Sequence, residues 1–206
     1  MALEFKPLRK KDTRKVIDFA IVGMHFNLYV RNKLALRLYG RYFWYDELQK
    51  ATHLLALYDG DQLLGVLAAA MNGATPKFKT WGKRCYTWLF IKLQNLWFGR
   101  GADTYDQTNR ELYEAYRHKY QPDGQIVFLA VDPNSQGQGV GTKLLAEFSR
   151  QVPGKQVYLY TDDACQYQFY EHRGFTRSGA KKVVLDLNDK RVPLTCLLYH
   201  KQFAAR

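Results

Sequence analysis

Cysteine is scarce in this chain and acidic residues are outnumbered, and each shortage narrows what the protein can be. Three of its 206 residues are cysteine (Cys85, Cys165 and Cys196), far apart, with no Cys-x-x-Cys pair and none at zinc-finger spacing from a histidine. This argues against a disulfide-stapled scaffold and a structural metal, so no metal is expected and a reducing compartment fits. No uninterrupted apolar run approaches the ~18 residues of a membrane span, and the opening Met-Ala-Leu-Glu-Phe-Lys lacks the apolar core of an export signal. A soluble, cytoplasmic protein is the expectation. Asp and Glu number 19 against 31 Lys and Arg, giving a formal net charge of +12. Such an excess suits nucleic acid, an anionic membrane surface or an anionic ligand. The cations are spread along the chain, however, and the densest group, Arg9-Lys10-Lys11 with Arg14 and Lys15, is modest. No nucleic-acid module accompanies them, so nucleic acid is not an expected partner. With 47% hydrophobic and 24% charged residues the composition is that of an ordinary globular protein, and the length suits one domain with an insertion.

Periodicity supplies the elements. Residues 3–9 read as a strand, and Asp12 or Thr13 can cap a helix over about 14–28 whose apolar positions are Val16, Ile17, Ala20, Ile21 and Met24. A second helix, about 31–50, is rich in aromatics. Residues 53–58 and 63–71 read as a hairpin around Asp59-Gly60-Asp61. A buried strand over Ile126–Val131, a helix carrying Val140, Leu144, Leu145 and Phe148, a strand at Val157–Tyr160, a short helix at 164–172 and strands at 183–187 and 194–200 complete the pattern. Between the third and fourth strands lie about 50 residues, 73–124. A structureless loop of that length is improbable in a compact domain, and apolar spacing predicts helices over 84–98 and 106–120. The mixture there of Trp81, Trp88, Trp97 and Phe98 with Lys83, Arg84, Lys92 and Arg100 invites a membrane-surface reading. Amphipathicity is normal for a globular helix, so the expectation is that these aromatics pack on the domain as a lid or a homodimer surface, and a membrane partner is not expected.

The strand Ile126–Val131 ends at Asp132-Pro133-Asn134-Ser135 and runs through a glycine-rich loop, Gln136 to Gly141, into a helix. Strand, glycine loop and helix N-terminus together form an anion site, because glycine exposes backbone N–H groups and the helix end adds about half a positive charge. Two nucleotide motifs fail on named residues. A dinucleotide fingerprint would need Gly or Ala at Thr142, and a Walker loop would need Lys before Ser/Thr, whereas the order here is Thr142-Lys143.

What fits is Gln136-x-x-Gly139-x-Gly141, which resembles the Gln/Arg-x-x-Gly-x-Gly/Ala signature of the GNAT superfamily of acyl-CoA-dependent N-acyltransferases. A second stretch, Phe169-Tyr170-x-x-x-Gly174-Phe175, is similar to that family's Tyr-x-x-x-Gly-Phe. Upstream the chain departs from the pattern, with Asp163 and Gln166 where the family commonly has Asn and Ala. The element order resembles the GNAT topology over residues 1–72 and 125–203. The resemblance implies an α/β (α+β) GNAT fold: a single domain over 1–206, with a central mixed, mostly antiparallel sheet of about seven strands flanked by helices. It also makes residues 73–124 a helical insertion between strands 3 and 4.

The implied reaction is transfer of an acetyl group from acetyl-CoA to the amine of a small-molecule or peptide acceptor, by direct attack. Gln136, Gly137, Gln138, Gly139, Val140, Gly141 and Thr142 would cradle the coenzyme pyrophosphate. Leu129, Ala130 and Val131 would line the thioester and supply an oxyanion donor, and Asp163, Gln166, Phe169, Tyr170 and Arg173 would complete the coenzyme site. Tyr170 is the expected general acid to the departing thiolate. Asp162, at the end of the fifth strand, is the candidate base, although it could equally cap the next helix. His25 and Tyr29 fall where the family lines its acceptor. Two other readings stand beside this one: a coenzyme-binding module without turnover, and an interaction protein using the basic, aromatic insertion.

Overall fold

A computed structural model of the chain describes residues 3–28, 30, 32–94, 101–187 and 190–205, with backbone alone at 94, 101–103, 187 and 190. Tyr29, Trp97, Phe98 and Arg100 lie outside the described residues. The strands are β1 (Leu3–Lys6), β2 (His53–Asp59), β3 (Gln62–Met71), β4 (Gly124–Val131), β5 (Gln156–Asp162), β6 (Thr176–Leu187) and β7 (Lys190–Gln202). The helices are α1 (Thr13–Gly23), α2 (Lys33–Lys50), α3 (Trp81–Gln94), α4 (Gly101–Arg117), α5 (Val140–Gln151) and α6 (Gln168–Glu171). The strands form one seven-stranded sheet in the order β1-β2-β3-β4-β5-β7-β6. Every neighbouring pair is antiparallel except β4–β5, which is parallel.

Apolar alternation decides which helix covers which face. On one face, α5 presents Val140, Leu144, Leu145 and Phe148 to Leu55, Leu57, Leu64, Leu67, Val157 and Leu159. On the other, α1 and α2 pack Val16, Ile17, Phe19, Trp44 and Leu48 against Tyr58, Val66 and Phe128. Helix α4 covers the β5–β7–β6 part of that second face through Leu112 and Tyr116, which meet Leu185, Leu194, Cys196 and Leu198. Strand β3, buried along most of its length, lies between the two layers, as expected for a strand covered on both faces. The segment between β3 and β4 is helical, as its spacing predicts: α3 lies on α2, with the Tyr86 hydroxyl donating to the Leu38 carbonyl (3.0 Å) and Tyr42 stacked on Phe90.

Several boundaries differ from the periodicity reading, for identifiable reasons. The Asp12 carboxylate does not cap α1. It is buried and accepts from Arg9 Nε (2.8 Å) and the Tyr58 hydroxyl (3.1 Å), fixing the end of β1 to the sheet. Helix α1 stops at Gly23, because His25 adopts a left-handed backbone (φ 50°) that turns the chain into a 3-10 turn over Phe26–Leu28. The segment 164–172 is helical only over Gln168–Glu171. Asn32 supplies the cap of α2, its Oδ1 accepting from the amides of Leu34 and Ala35.

The β4–β5 junction has a different geometry from its neighbours. Their recorded pairs are Gly124↔Val157 and Gln125↔Tyr158, so the strands meet at their first residues and separate beyond them. Asp123 fastens the joined end: its amide donates to the Gln156 carbonyl (2.7 Å), and its carboxylate accepts from the Gln156 amide (2.8 Å) and Lys155 Nζ (2.9 Å).

Candidate functional site

The separation of β4 from β5 leaves a wedge whose walls are strand edges. The Asp132 amide donates to the Leu64 carbonyl across β3 (2.7 Å), and amides alternate sides along a strand. Those of Val131 and Leu129 therefore face the wedge, while Ala130 belongs to the β3 side. An unpaired strand edge offers main-chain hydrogen bonds to an extended ligand. The side chains of Leu129 and Val131, partly buried, pack toward the α5 layer together with Tyr167, Phe169 and Tyr170.

At the open end of β4 the chain makes a tight turn. Asp132 accepts from the amide of Asn134 (2.9 Å) and starts a 3-10 turn, Pro133–Ser135. The glycine loop follows, with Gly137 at φ 80° and Gly139 at φ 74°, and an added Cβ at either would meet nothing within 4 Å. Packing therefore does not demand glycine there. The left-handed backbone does, and it leaves the surface over these residues open. The α5 ladder begins with the Lys143 amide donating to the Gly139 carbonyl (3.0 Å). The amides of Val140, Gly141 and Thr142 are left without an acceptor inside the helix, pointing out of its N-terminus. Gln136 and Gln138 are exposed beside them.

The second motif folds onto this cradle. A Cβ on Gly141 would lie 2.9 Å from the Phe169 ring, so glycine at this position lets α6 approach the N-terminus of α5. Arg173 donates to Thr142 Oγ1 through Nε (3.0 Å) and Nη2 (2.6 Å), and its guanidinium lies 4.3 Å from the Phe169 ring centroid. A fixed cation thus stands beside the unpaired amides. Gly174, at φ 72°, ends the α6 turn, and the Phe175 amide donates to the Tyr170 carbonyl (3.1 Å) while the Phe175 ring is buried. This accounts for the spacing Tyr-x-x-x-Gly-Phe in backbone terms. Tyr170 is held edge-on between Phe169 and Phe175. Burial, then the neighbouring Cys165, pushes its phenol above the ordinary tyrosine range.

Asp162 and Asp163 are both engaged. Asp162 is buried at the end of β5, and its Oδ1 accepts from the amides of Ala164 (3.0 Å) and Cys165 (3.1 Å), which holds 164–165 in a turn where a helix is predicted. Its Oδ2 accepts from the Tyr105 hydroxyl of α4 (3.4 Å). Burial raises the Asp162 carboxyl, against the opposing pull of these donors. Asp163 Oδ1 accepts from the Thr195 amide (2.9 Å), prolonging the β5–β7 ladder away from the wedge. Burial is outweighed there by the Thr195 donors, and the carboxyl is lowered. Gln166 is exposed, its carbonyl accepting from the Phe169 amide. Tyr105 and the Thr142–Arg173 contact are absent from the sequence reading. The spacing Tyr105, Leu112, Tyr116 on one face of α4 is the signal that could have found the first.

On the α2 side of the wedge stands an aromatic wall. Phe26 meets Tyr39 (4.8 Å) and Phe43 (5.1 Å) edge-on, and Phe43 reaches Phe128 of β4. The Asp106 carboxylate of α4 acts on Tyr39, Tyr42 and Glu47. Burial first, then nearby carboxylates, pushes Tyr42 up to about 12. His25, the left-handed residue, precedes Phe26 in this wall. Two cavities lie away from the glycine loop. One of about 540 Å³ between α2 and α3 is lined by Asp46, Gln49 and Trp88 among others, and one of about 710 Å³ along α4 includes Asp106, Arg110 and Glu114. Neither is lined by residues 136–142. Among the described residues no group of His, Cys, Asp and Glu is placed to hold a metal ion.

A family model described as the acetyltransferase (GNAT) domain matches residues 100–177, the stretch that holds α4, β4, the glycine loop, α5, β5 and α6. No curated protein matches the sequence. Solved structures match over nearly the whole chain. A protein from Pyrococcus horikoshii OT3 shares 18% identity, covers 98% of each chain and has a TM-score of 0.58. An N-acetyltransferase from Staphylococcus aureus Mu50 shares 13% identity over 98% of this chain and 99% of its own, with a TM-score of 0.53. The yncA protein of Salmonella typhimurium, solved with its cofactor acetyl-CoA, shares 14% identity over 100% of this chain and 96% of its own, with a TM-score of 0.52. Identities of this size establish likeness of fold.

Proposed function

We propose, from the match of residues 100–177 to the acetyltransferase (GNAT) domain, that the chain transfers the acetyl group of acetyl-CoA to a primary amine of a small-molecule or peptide acceptor, by direct attack in a ternary complex. The observation that carries this reading is the β4–β5 wedge ending at the cradle of residues 136–142, with Tyr170 beside it. Pyrophosphate would lie on the amides of Gly137 to Thr142 with Arg173 adjacent, and the amide-bearing arm of the coenzyme would extend along the edge at Leu129 and Val131. The geometry suits these ligand chemistries, and the salmonella likeness, seen with acetyl-CoA, supports the choice.

Three tasks remain for the protein's own residues. The amine nitrogen attacks the thioester carbonyl, and the oxyanion that forms accepts from an edge amide of Leu129 or Val131. The carbon–sulfur bond then breaks, and the leaving thiolate takes the Tyr170 hydroxyl proton. Burial raises this phenol, and it raises the neighbouring Cys165 thiol as well, with the Asp162 charge adding to the effect. The ammonium of the arriving acceptor first gives one proton toward Asp162, directly or through the Tyr105 hydroxyl, burial having raised that carboxyl; the second proton, lost from nitrogen as the amide forms, restores the Tyr170 hydroxyl through solvent. The aromatic wall with Asp106 favours an acceptor that arrives as a cation; His25 falls in the chain segment beside it.

The test is release of free thiol from acetyl-CoA across a panel of amines and amine-bearing peptides. Turnover above the blank for at least one class is expected, and a rate no greater than the blank across the panel would sink the proposal. Tyr170→Phe is expected to lower kcat about 100-fold with unchanged acetyl-CoA affinity. Unchanged kcat in that variant would remove the acid role, whereas acetyl-CoA binding by the wild type with no turnover on any amine would favour a binding module.

A further inference from the structure

Helix α3 packs one side of itself on the domain. Thr87 and Phe90 are buried and Tyr86 reaches α2, but the opposite side stands open. Trp81 is 82% exposed and Trp88 61%, with Leu89, Ile91 and Leu93 between 40% and 48%. At helical spacing Trp81, Cys85, Trp88 and Lys92 fall on one stripe, flanked by Leu89 and Leu93 on one side and by Arg84 and Ile91 on the other. Single exposed hydrophobics are ordinary, whereas a contiguous apolar face with two tryptophans marks an interaction site. The aromatics of this segment thus divide: Tyr86 and Phe90 pack on the domain as expected, and Trp81 and Trp88 do not.

Charge selects the partner. From Gly73 to Ala102 the sequence has no Asp or Glu, yet it carries Lys77, Lys79, Lys83, Arg84, Lys92 and Arg100. Lys77, Lys79, Arg84 and Lys92 are exposed. We propose that this face of α3 docks on an anionic lipid surface. The tryptophans sit at headgroup depth, the aliphatic side chains enter the acyl boundary, and the cations meet lipid phosphates and carboxylates with their stems along the interface. The helix lies on the surface rather than crossing it: it has 14 residues, and no described helix is long and apolar enough to span a membrane. A second copy of the chain is a poorer occupant, because a two-fold interface would set the same cations against one another with no carboxylate in the segment to neutralise them. Nucleic acid is poorer as well, since Leu89, Ile91 and Leu93 offer nothing to phosphates or to stacked bases.

Co-sedimentation of the full chain with vesicles tests the proposal. Vesicles of phosphatidylcholine with phosphatidylserine should bind at least about tenfold tighter than phosphatidylcholine alone, and binding should weaken as salt rises. Trp81→Ser with Trp88→Ser, and separately the neutralisation of Lys77, Lys79, Arg84 and Lys92 to Gln, should each cost about tenfold or more, with circular dichroism and the thermal midpoint showing an intact fold. Absence of binding, equal binding to both vesicle types, or wild-type binding by the tryptophan double variant overturns it. So does a stable dimer in sedimentation velocity that the double variant dissociates, which would give the face to a second copy. Duplex DNA binding lost in the same variant would give it to nucleic acid, with the same consequence.

Discussion

Gly139 meets a backbone requirement and, on the proposed reading, also bounds the coenzyme site. Its left-handed conformation starts α5, and the space over it is open. Gly139→Ala is expected to cost about 1 kcal/mol for the left-handed backbone, a fall of about 2–4 °C in Tm. It should also raise the KM for acetyl-CoA several-fold, because the methyl group projects into the cradle. Thermal melts and acetyl-CoA titration check the two effects separately. Residues of this kind are legible in sequence, because a backbone requirement leaves a mark at fixed local spacing: Gln136 to Gly141 and Tyr170 to Phe175 could be read without coordinates. The Arg173–Thr142 contact spans 31 positions and the Tyr105–Asp162 contact 57. Such pairs exist only once the sheet has formed, and nothing local announces them.

At the scale of elements, the joined end of the β4–β5 wedge depends on Asp123. The Gln156 amide, and after it Lys155, holds the Asp123 carboxyl below its ordinary range. A carboxyl lowered in the folded state contributes stability above its unfolded pKa of about 3.9 and loses that contribution as pH falls through the lower, folded value. Asp123→Asn should therefore be less stable than wild type by about 1 kcal/mol near neutrality, at the weak end for a charge-assisted bond because the side chain is a third exposed. The gap should persist down to about pH 4 and close below it, as followed by denaturant melts across pH. Periodicity orders the elements correctly but misplaces their ends where long-range contacts override it. The Asp162 turn shortens α6, and pairing with β7 extends β6 through Lys181 and Lys182, whose charges disguise strand as loop. The wedge itself was invisible, since strand separation is a property of two segments and has no sequence pattern.

For the whole molecule, the excess of cations sets the response to a polyanionic coenzyme. Acetyl-CoA at about 100 times its Kd should add about 2.7 kcal/mol to stability, a rise of about 5–10 °C in Tm. The rise should shrink as ionic strength increases, because the phosphate contacts are screened. Differential scanning fluorimetry over a salt series reads this directly, and a shift indifferent to salt would contradict an anion cradle at residues 136–142.

The single sheet consists of two blocks of strands joined at a short seam. Strands β1 to β4 form one block and β5, β7 and β6 the other, and the recorded backbone pairing between the blocks is two residue pairs. A coenzyme arm bonded to both strand edges would supply the rungs that the polypeptide omits, so that the cofactor acts as a mechanical crosslink as well as a reactant. In the free protein the Leu129 and Val131 amides should exchange with deuterium as edge amides do, in the complex as interior ones. Hydrogen exchange at those two positions would then report whether the halves move independently between turnovers and as one body during them.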